Sequence, residues 1–587
     1  LETRYTGKNY KQMNKRLLIL IMVLAGISVA AQRSEIVIDG VAGEWTSDAI
    51  ESYDDLEGDG NAVDITELSV TNDEDYLYIK FTLSGDMLLN NNNSLKLHID
   101  SDNNSNTGNT INGIGADFSW HFSERRGYMH DKKDAVYHNQ VGFIALPTVS
   151  SDTFEIRISR HATPGNTPLF PSETIRISMK DGLTGDVVPD EGDVFSYTFQ
   201  NLVNDFQPSN LLRAEATDVR VMAYNVLHDG IVKPERKPYF RRIIRATSPD
   251  LVVLNECWNT TPQQVVEIFD EFIPLAGGKS WHALKEDGGN VLVSRYPFID
   301  SWRIHPDMRL TAALVDLPDD RFSGDFLAVG AHFRCCDANE ARQREADAFV
   351  EFILDAKAPG GRITLPENTP FFLAGDLNLV GDAQQLETLL TGEVVNDNFG
   401  QGGAPDWDNT SLLDVVSPQT DDPVAATWQS NTSSYWPGRL DFTIVSSSVA
   451  QVLNAWVLDT EDMPQERLNS FNLQATDTKE ASDHLPKVTD LKLAAPLSTH
   501  AEVEKPLRIL PNPAKDFILI ECSDVEIDSV QFVAVSSGEV ISDRKPVSKG
   551  ENRYRVNISG IPEGIYVIEI VSKTSQKRYY EKVIIMQ

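Results

Sequence analysis

The sequence predicts a multidomain chain: an all-β sandwich first, a mixed α/β region next, and a small β-sandwich at the C-terminus. Three observations carry this reading. The chain has 587 residues, more than one hydrophobic core accommodates, which favours several domains. Before about residue 210, apolar and polar residues alternate with a period of two, as in strands of a half-buried sheet. Beyond it, apolar runs alternate with helix-like stretches, and several runs stop abruptly at a polar residue. The formal net charge is −35, so the chain as a whole does not attract a polyanion, and nucleic acid would need a local basic patch.

The leader spans residues 1–31. Lys15 and Arg16 precede the apolar stretch 17–29, which ends in Ala30 and Ala31. That layout is a secretory signal peptide, with Met13 as the expected start. No later segment is apolar enough to cross a membrane. Residues 33–210 form the expected sandwich. In residues 76–83, Tyr76, Tyr78, Lys80 and Thr82 share one face, while Leu77, Ile79, Phe81 and Leu83 share the other. This region is expected to fold alone. The stretch 100–108 is dense in oxygen ligands and has two readings, a Ca2+ site or a polar turn; it lacks the closing glutamate of an EF-hand. Residues 36–45, together with Gly115-Ala-Asp-Phe118, resemble the carbohydrate-binding module family 9-like domains. That resemblance implies a sandwich that binds glycan or serves as a spacer.

The four cysteines are Cys257, Cys335, Cys336 and Cys522. None forms a CxxC pair, which disfavours a zinc site built on thiolates. Cys335 and Cys336 are adjacent and read either as a vicinal disulfide or as two thiols. In residues 211–490 the polar ends of the apolar runs matter most. Val219-Arg-Val-Met-Ala-Tyr224 stops at Asn225, and Leu251-Val-Val-Leu254 at Asn255 and Glu256. Phe326-Leu-Ala-Val-Gly-Ala331 stops at His332, and Phe371-Phe-Leu-Ala374 at Gly375-Asp-Leu-Asn378. Arg439 opens a run that contains Asp441, and Ser482-Asp-His484 forms a compact polar turn. If these runs are strands of packed sheets, their ends gather carboxylates, amides and histidines on one edge. Such a set suits a hard cation, which prefers oxygen ligands, and phosphoryl transfer needs groups of this kind. Asp441 inside an apolar strand needs a partner, since an unpaired buried carboxylate is costly. The Asp483-His484 turn supplies a candidate.

Taken in order, these motifs, with Gly289-Asn-Val-Leu-Val-Ser-Arg-Tyr-Pro297, resemble the endonuclease/exonuclease/phosphatase superfamily. The resemblance implies a four-layer α/β sandwich with two central mixed sheets and an enzyme dependent on Mg2+ or Mn2+. It also implies roles. Glu256 is the principal metal ligand, with Asn225 beside it and Asp483 completing the metal side. Asp376 positions or activates water, while Asn378 and His332 contact the phosphate. His484 is oriented by Asp441, as a base or as a transition-state clamp. The expected step is in-line attack of water without a covalent enzyme intermediate, and no GxSxG stretch offers a competing nucleophile.

The expected substrate is nucleic acid. The stretch 233–245 places Arg241, Arg242 and Arg245 on one face of a helix, either as a solvated face or as a strip along a phosphate backbone. Arg439 is a further substrate-binding candidate. Ser434-Tyr-Trp436 either stacks on a base or packs on the fold. The alternatives are a phosphatase or a phospholipid or sphingomyelin phosphodiesterase and, more remotely, a non-catalytic glycan-binding surface protein. A linker over 491–506 leads to residues 507–587. There Pro511-Asn-Pro513, Ser537-Gly-Glu-Val540 and Gly560-Ile-Pro-Glu-Gly-Ile-Tyr-Val567 resemble the sorting domain of the type IX secretion system. That implies a partner in the type IX machinery and a product secreted or held at the cell surface.

Overall fold

The computed structural model describes residues 32–34, 36–494 and 507–586, apart from residues 59, 61–62, 131–134, 214, 216, 511–513, 523–526, 535–539, 550–552 and 574–577. The leader, most of the linker and the Pro511-Asn-Pro513 turn lie outside the described residues. No described helix is long and apolar enough to cross a membrane. The chain forms two compact units, Leu1–Ala495 and Pro496–Gln587.

In the first unit, a five-stranded antiparallel sheet runs in the order Ile144–Leu146, Ser151–Ser159, Tyr76–Met87, Ile65–Asn72, Glu51–Asp54. A larger sheet centred on Leu95–Asp100 and Thr174–Asp181 supplies the other side of the same core. Leu77, Ile79, Phe81 and Leu83 point into that core as the alternation predicts. Tyr78, on the opposite face, is fully buried as well. It packs in a second cluster with Ile38, Trp45, Val424, Ala425 and Ala426, so residues of the α/β region cover part of this face. In the 100–108 stretch, Asp100, Asp102 and Asp117 bring carboxylate oxygens within 4.8 Å of one another. They also accept turn N–H groups, Asp117 from Ser101 and Asp102, and Asp100 from Asn104.

The α/β region is built from two six-stranded mixed sheets. Its strands, in chain order, are β1 Val219–Asn225, β2 Leu251–Asn255, β3 His282–Leu284, β4 Val291–Ser294, β5 Phe298–Arg303 and β6 Leu310–Val315. They continue with β7 Phe326–His332, β8 Phe371–Asp376, β9 Leu413–Asp414, β10 Asp441–Val445, β11 Ala450–Val457 and β12 Lys487–Leu493. One sheet orders β3-β4-β2-β1-β12-β11 and the other β5-β6-β7-β8-β10-β9. Val221, Val253 and Leu292 of the first meet Ala313, Ala328 and Phe372 of the second in a shared core. Helices α1 Lys237–Thr247 and α2 Pro262–Phe272 cover the outer face of the first sheet, and α3 Asn339–Lys357 and α4 Gln384–Thr391 that of the second. The result is the expected four-layer sandwich. Strands buried on both faces read as continuous apolar runs, which is why their polar ends stand out in the sequence.

The second unit holds two four-stranded antiparallel sheets over a core that includes Ile518, Ile520, Phe532, Val556 and Ile568.

Candidate active site

The site forms where parallel strand pairs end. β1 and β2 run parallel with Asn225 level with Asn255. In the other sheet, β7 and β8 run parallel with His332 level with Asp376, and antiparallel β10 sets Asp441 level with Asp376. Asn255 joins the two sheets. Its Nδ2 donates to the Ala331 carbonyl and to Asn290 Oδ1, both at or below 2.9 Å, and its Oδ1 accepts from the Asp376 N–H at 2.9 Å. Gly375 makes this approach possible: at φ 136° a Cβ there would lie 2.0 Å from the Ala331 carbonyl oxygen.

Several site residues sit in the left-handed region that side chains rarely adopt. Glu256 has φ 58°, Asn378 48°, and Leu227, His228 and Asp229 form a consecutive run at 48°, 53° and 60°. Such backbone persists where surrounding bonds hold it, and it concentrates at functional sites. Here Asp229 accepts from Asn259 and Thr260, and Glu256 Oε2 accepts from the His228 N–H at 2.8 Å.

Asn225, fully buried, links the carboxylates: its Nδ2 lies 2.9 Å from Asp376 Oδ2 and 3.3 Å from Glu256 Oε1. His332 Nε2 is 3.5 Å from the same Asp376 oxygen. Asn378 donates its N–H to Asp376 Oδ1 at 3.0 Å and its Nδ2 to the Phe333 carbonyl. His484 Nδ1 is 2.7 Å from Asp441 Oδ2, while its Nε2 faces Asn225 at 3.4 Å and Asp376 at 3.7 Å. Burial alone would push the His484 imidazole down, but the Asp441 and Asp376 carboxylates outweigh it and raise it to about 10. His332 goes the other way: burial, then the Arg309 guanidinium, hold it well below its ordinary value. Burial pushes the Asp376 carboxyl above the usual carboxylate range.

Three polar atoms here are buried without a partner: Asp441 Oδ1, Asp483 Oδ1 and His332 Nδ1. Unsatisfied buried oxygens on Asp441 and Asp483, in a site that also holds the Glu256 carboxylate and the Asn225 amide, are the kind of donor a divalent cation takes. The site is not a closed cage. Among the described residues, trios of carboxylates close enough to share one ion occur only in the sandwich. Fewer protein carboxylates at one point leave part of a divalent cation's coordination shell to water or substrate phosphate.

The structure thus brings Asn225, Glu256, His332, Asp376, Asn378, Asp441 and His484 into one bonded set. Asp483 precedes His484 and accepts from Trp428 Nε1 through its Oδ2 at 3.1 Å, and Trp428 in turn forms an antiparallel backbone bridge with His484. The arginines stand apart. Arg241 pairs with Glu271, and Arg242 grips the buried Asp477 through Nε at 2.9 Å. Arg439 pairs with Asp414 and stacks on Phe442. On α1, then, Arg241 and Arg242 are ion-paired, Lys237 shares Glu271 with Arg241, and Arg245 donates to the Phe272 carbonyl.

Sequence reasoning missed four contributors. Arg236 donates to the Leu227 and Ala481 carbonyls and ties the 227–229 turn to the 482–484 turn. Arg309 donates to the His332 and Phe333 carbonyls, each at 2.8 Å, and lies over Trp258. Trp258, half-buried, has its ring 5.6 Å from that of His332. Thr427 Oγ1 accepts from the Leu440 and Asp441 N–H groups. Only Trp258, directly after Glu256-Cys257, had a local signal.

Residues 222–484 match the endonuclease/exonuclease/phosphatase family, and residues 508–586 match the secretion system C-terminal sorting domain. Comparison with curated proteins gives no match. Among solved structures, the human Nocturnin catalytic domain with bound sulfate is 18% identical and aligns over 47% of this chain and 95% of that one, with a TM-score of 0.29. The D. rerio TDP2 complexed with single strand DNA product is 17% identical, over 47% and 99%, with a TM-score of 0.31. Sphingomyelinase C from Streptomyces griseocarneus is 14% identical, over 46% and 99%, with a TM-score of 0.29.

Proposed function

We propose that this chain, a phosphoester hydrolase with an endonuclease/exonuclease/phosphatase domain and a secretion sorting domain, cleaves phosphodiester bonds of nucleic acid outside the cell. The observation that carries the hydrolytic reading is the convergence of Glu256, Asn225 and Asp376 with buried, unpartnered oxygens on Asp441 and Asp483. Glu256, Asn225 and Asp483 would hold Mg2+ or Mn2+. When bound, the ion offsets charge on the phosphate and leaving oxygens.

The chain's own residues supply the rest. With Nδ1–H committed to Asp441, His484 turns Nε2 to the pocket, where its protonated form donates to a non-bridging oxygen. Asp376, raised by burial, accepts a proton from the attacking water near neutral pH. Water oxygen bonds to phosphorus in line as the opposite P–O bond breaks. The neutral His332 and the Asn378 amide orient the phosphate. Trp258 and Arg309, beside His332, supply the reason to prefer nucleic acid: a half-buried aromatic face stacks on any base, and a cation sits next to it.

The test is hydrolysis of single-stranded DNA and of bis-p-nitrophenyl phosphate with and without EDTA. EDTA should abolish both activities, magnesium or manganese should restore them, and Glu256→Gln should raise the metal concentration required. Trp258→Ala should raise KM for DNA at least about threefold, the low end of base stacking, and spare the small ester. Full activity in EDTA would overturn the hydrolytic reading. Equal effects of Trp258→Ala on both substrates would remove the case for nucleic acid.

A further inference from the structure

The β-sandwich touches the α/β region at two of the segments that carry site residues. Trp436, 6% exposed, belongs to the core of the sandwich although it lies more than 200 positions beyond it in sequence. Its ring meets Phe143 edge-on at 5.3 Å and Trp120 at 6.3 Å, and its Nε1 donates to the Ala145 carbonyl at 2.9 Å. Two residues on, Gly438 passes so close to the sandwich that a Cβ there would lie 2.7 Å from Thr148 Cγ2. Arg125 of the sandwich lies over Tyr435 at 4.3 Å, and His138 Nε2 is 3.3 Å from the Ser433 carbonyl.

The segment held this way is the one that shapes the site. Gly438 exchanges backbone bonds with Trp428, and Trp428 Nε1 holds Asp483. Gln429 N–H donates to the Asp483 carbonyl at 3.0 Å. Thr148 acts more directly. Its hydroxyl is 2.8 Å from the Leu379 carbonyl and 3.1 Å from the Arg439 carbonyl. Leu379 follows Asn378, and Arg439 lies two residues before Asp441. A single hydroxyl proton shared between these two acceptors joins the ends of β8 and β10.

We infer that the N-terminal β-sandwich is a positioning element of the active site, with Thr148 and Trp436 as its positioning residues: Thr148 sets the spacing of Asn378 and Asp441, and Trp436 sets Asp483 through Trp428. This rests on the phosphoesterase reading above, and it gives the sandwich a role that needs no glycan. A spacer or glycan-binding module would need no buried tryptophan exchanged with its neighbour, nor a hydroxyl aimed at two carbonyls beside site residues. Misplacement of reacting groups by a fraction of an ångström is enough to slow chemistry without unfolding anything.

The experiment uses the full chain. Thr148→Val keeps the shape and removes the donor; Thr148→Ser restores it. On bis-p-nitrophenyl phosphate at saturating Mn2+, Thr148→Val should lower kcat about tenfold with KM nearly unchanged, and Thr148→Ser should recover most of the loss. Trp436→Phe keeps an aromatic ring in the sandwich core but removes the Nε1 donor and part of the indole's bulk, and should raise the Mn2+ concentration for half-maximal activity by about threefold or more. Mn2+ binding followed by electron paramagnetic resonance should show the same weakening of affinity in Trp436→Phe. Wild-type kcat in Thr148→Val together with wild-type Mn2+ affinity in Trp436→Phe would overturn the inference. So would a Thr148→Val loss that Thr148→Ser does not rescue and that tracks a lower Tm, since that marks a merely structural hydroxyl. A wild-type protein without hydrolytic activity would strike the phosphoesterase reading instead, and the Mn2+ affinities would still decide the role of Trp436.

Discussion

The bond between His484 Nδ1 and Asp441 Oδ2 settles which imidazole nitrogen faces the pocket. Each partner is nearly or fully buried, so each leaves the other uncompensated when removed. His484→Ala and Asp441→Asn should therefore each lower kcat at least about a hundredfold, the scale of a positioned electrostatic group. The double variant should be scarcely slower than His484→Ala, because groups acting as one unit lose their effect together. Steady-state kinetics of the four proteins checks this, and fully additive losses would show two independent groups. Asp441 was legible in the sequence because a carboxylate inside an apolar run demands a partner. Arg309 and Thr427 were not. Each acts through backbone groups distant in sequence, His332 for the first and Leu440 for the second, and nothing in the spacing of residues announces such a contact.

Elements show the same division between what a pattern carries and what only packing reveals. The amphipathic pattern of α1 is correct, with Phe240, Ile243 and Ile244 buried and the arginines outside. What the pattern lacks is the acids opposite: Glu271 on α2 and Asp477 from more than 200 positions away. The double variant Arg241→Ala, Arg242→Ala should accordingly leave the ratio of KM for DNA to KM for the small ester unchanged, and lower Tm through the loss of the Asp477 pair. A selective rise of KM for DNA would support the basic-strip reading instead. In the sandwich strand Ser151–Ser159, Glu155 is buried and accepts from Trp45 Nε1 at 2.6 Å and from the Gly40 N–H at 2.7 Å. Burial, with the charge of Glu44 behind it, raises its carboxyl from 4.5 to about 8. The folded state thus holds a proton that the unfolded chain releases above 4.5. Glu155 then contributes stability that is complete below 4.5 and lost as pH rises to about 8. Thermal unfolding in metal-free buffer should show wild-type Tm falling more steeply between about pH 5 and about pH 8 than that of Glu155→Gln. Equal slopes would mean that Glu155 ionises normally in the fold.

Across the whole molecule, the order of regions was readable from composition and periodicity, while the four-layer arrangement followed from resemblance and is borne out by the two six-stranded sheets. Alternation says which face of a strand is apolar but not what covers the other face, so the burial of Tyr78 under Val424 and its neighbours was out of reach. The sorting domain at residues 508–586 carries a prediction at this scale. A cell with a functioning type IX system should release or display a protein shortened at both ends, lacking the leader and the residues after about 505. Mass spectrometry of the culture medium and of the surface fraction reads this directly, and an intact C-terminus on protein retained in the cytoplasm would rule it out. The Asn255 clamp has a consequence for the order of folding. Its donors and acceptors lie on β2, β7 and β8, and the pocket draws on residues from Asn225 to His484, so no local stretch of chain forms half a site. Contacts of such long sequence separation close late. During refolding, circular dichroism should recover before hydrolysis does, and simultaneous recovery would mean that the site closes with the first strands.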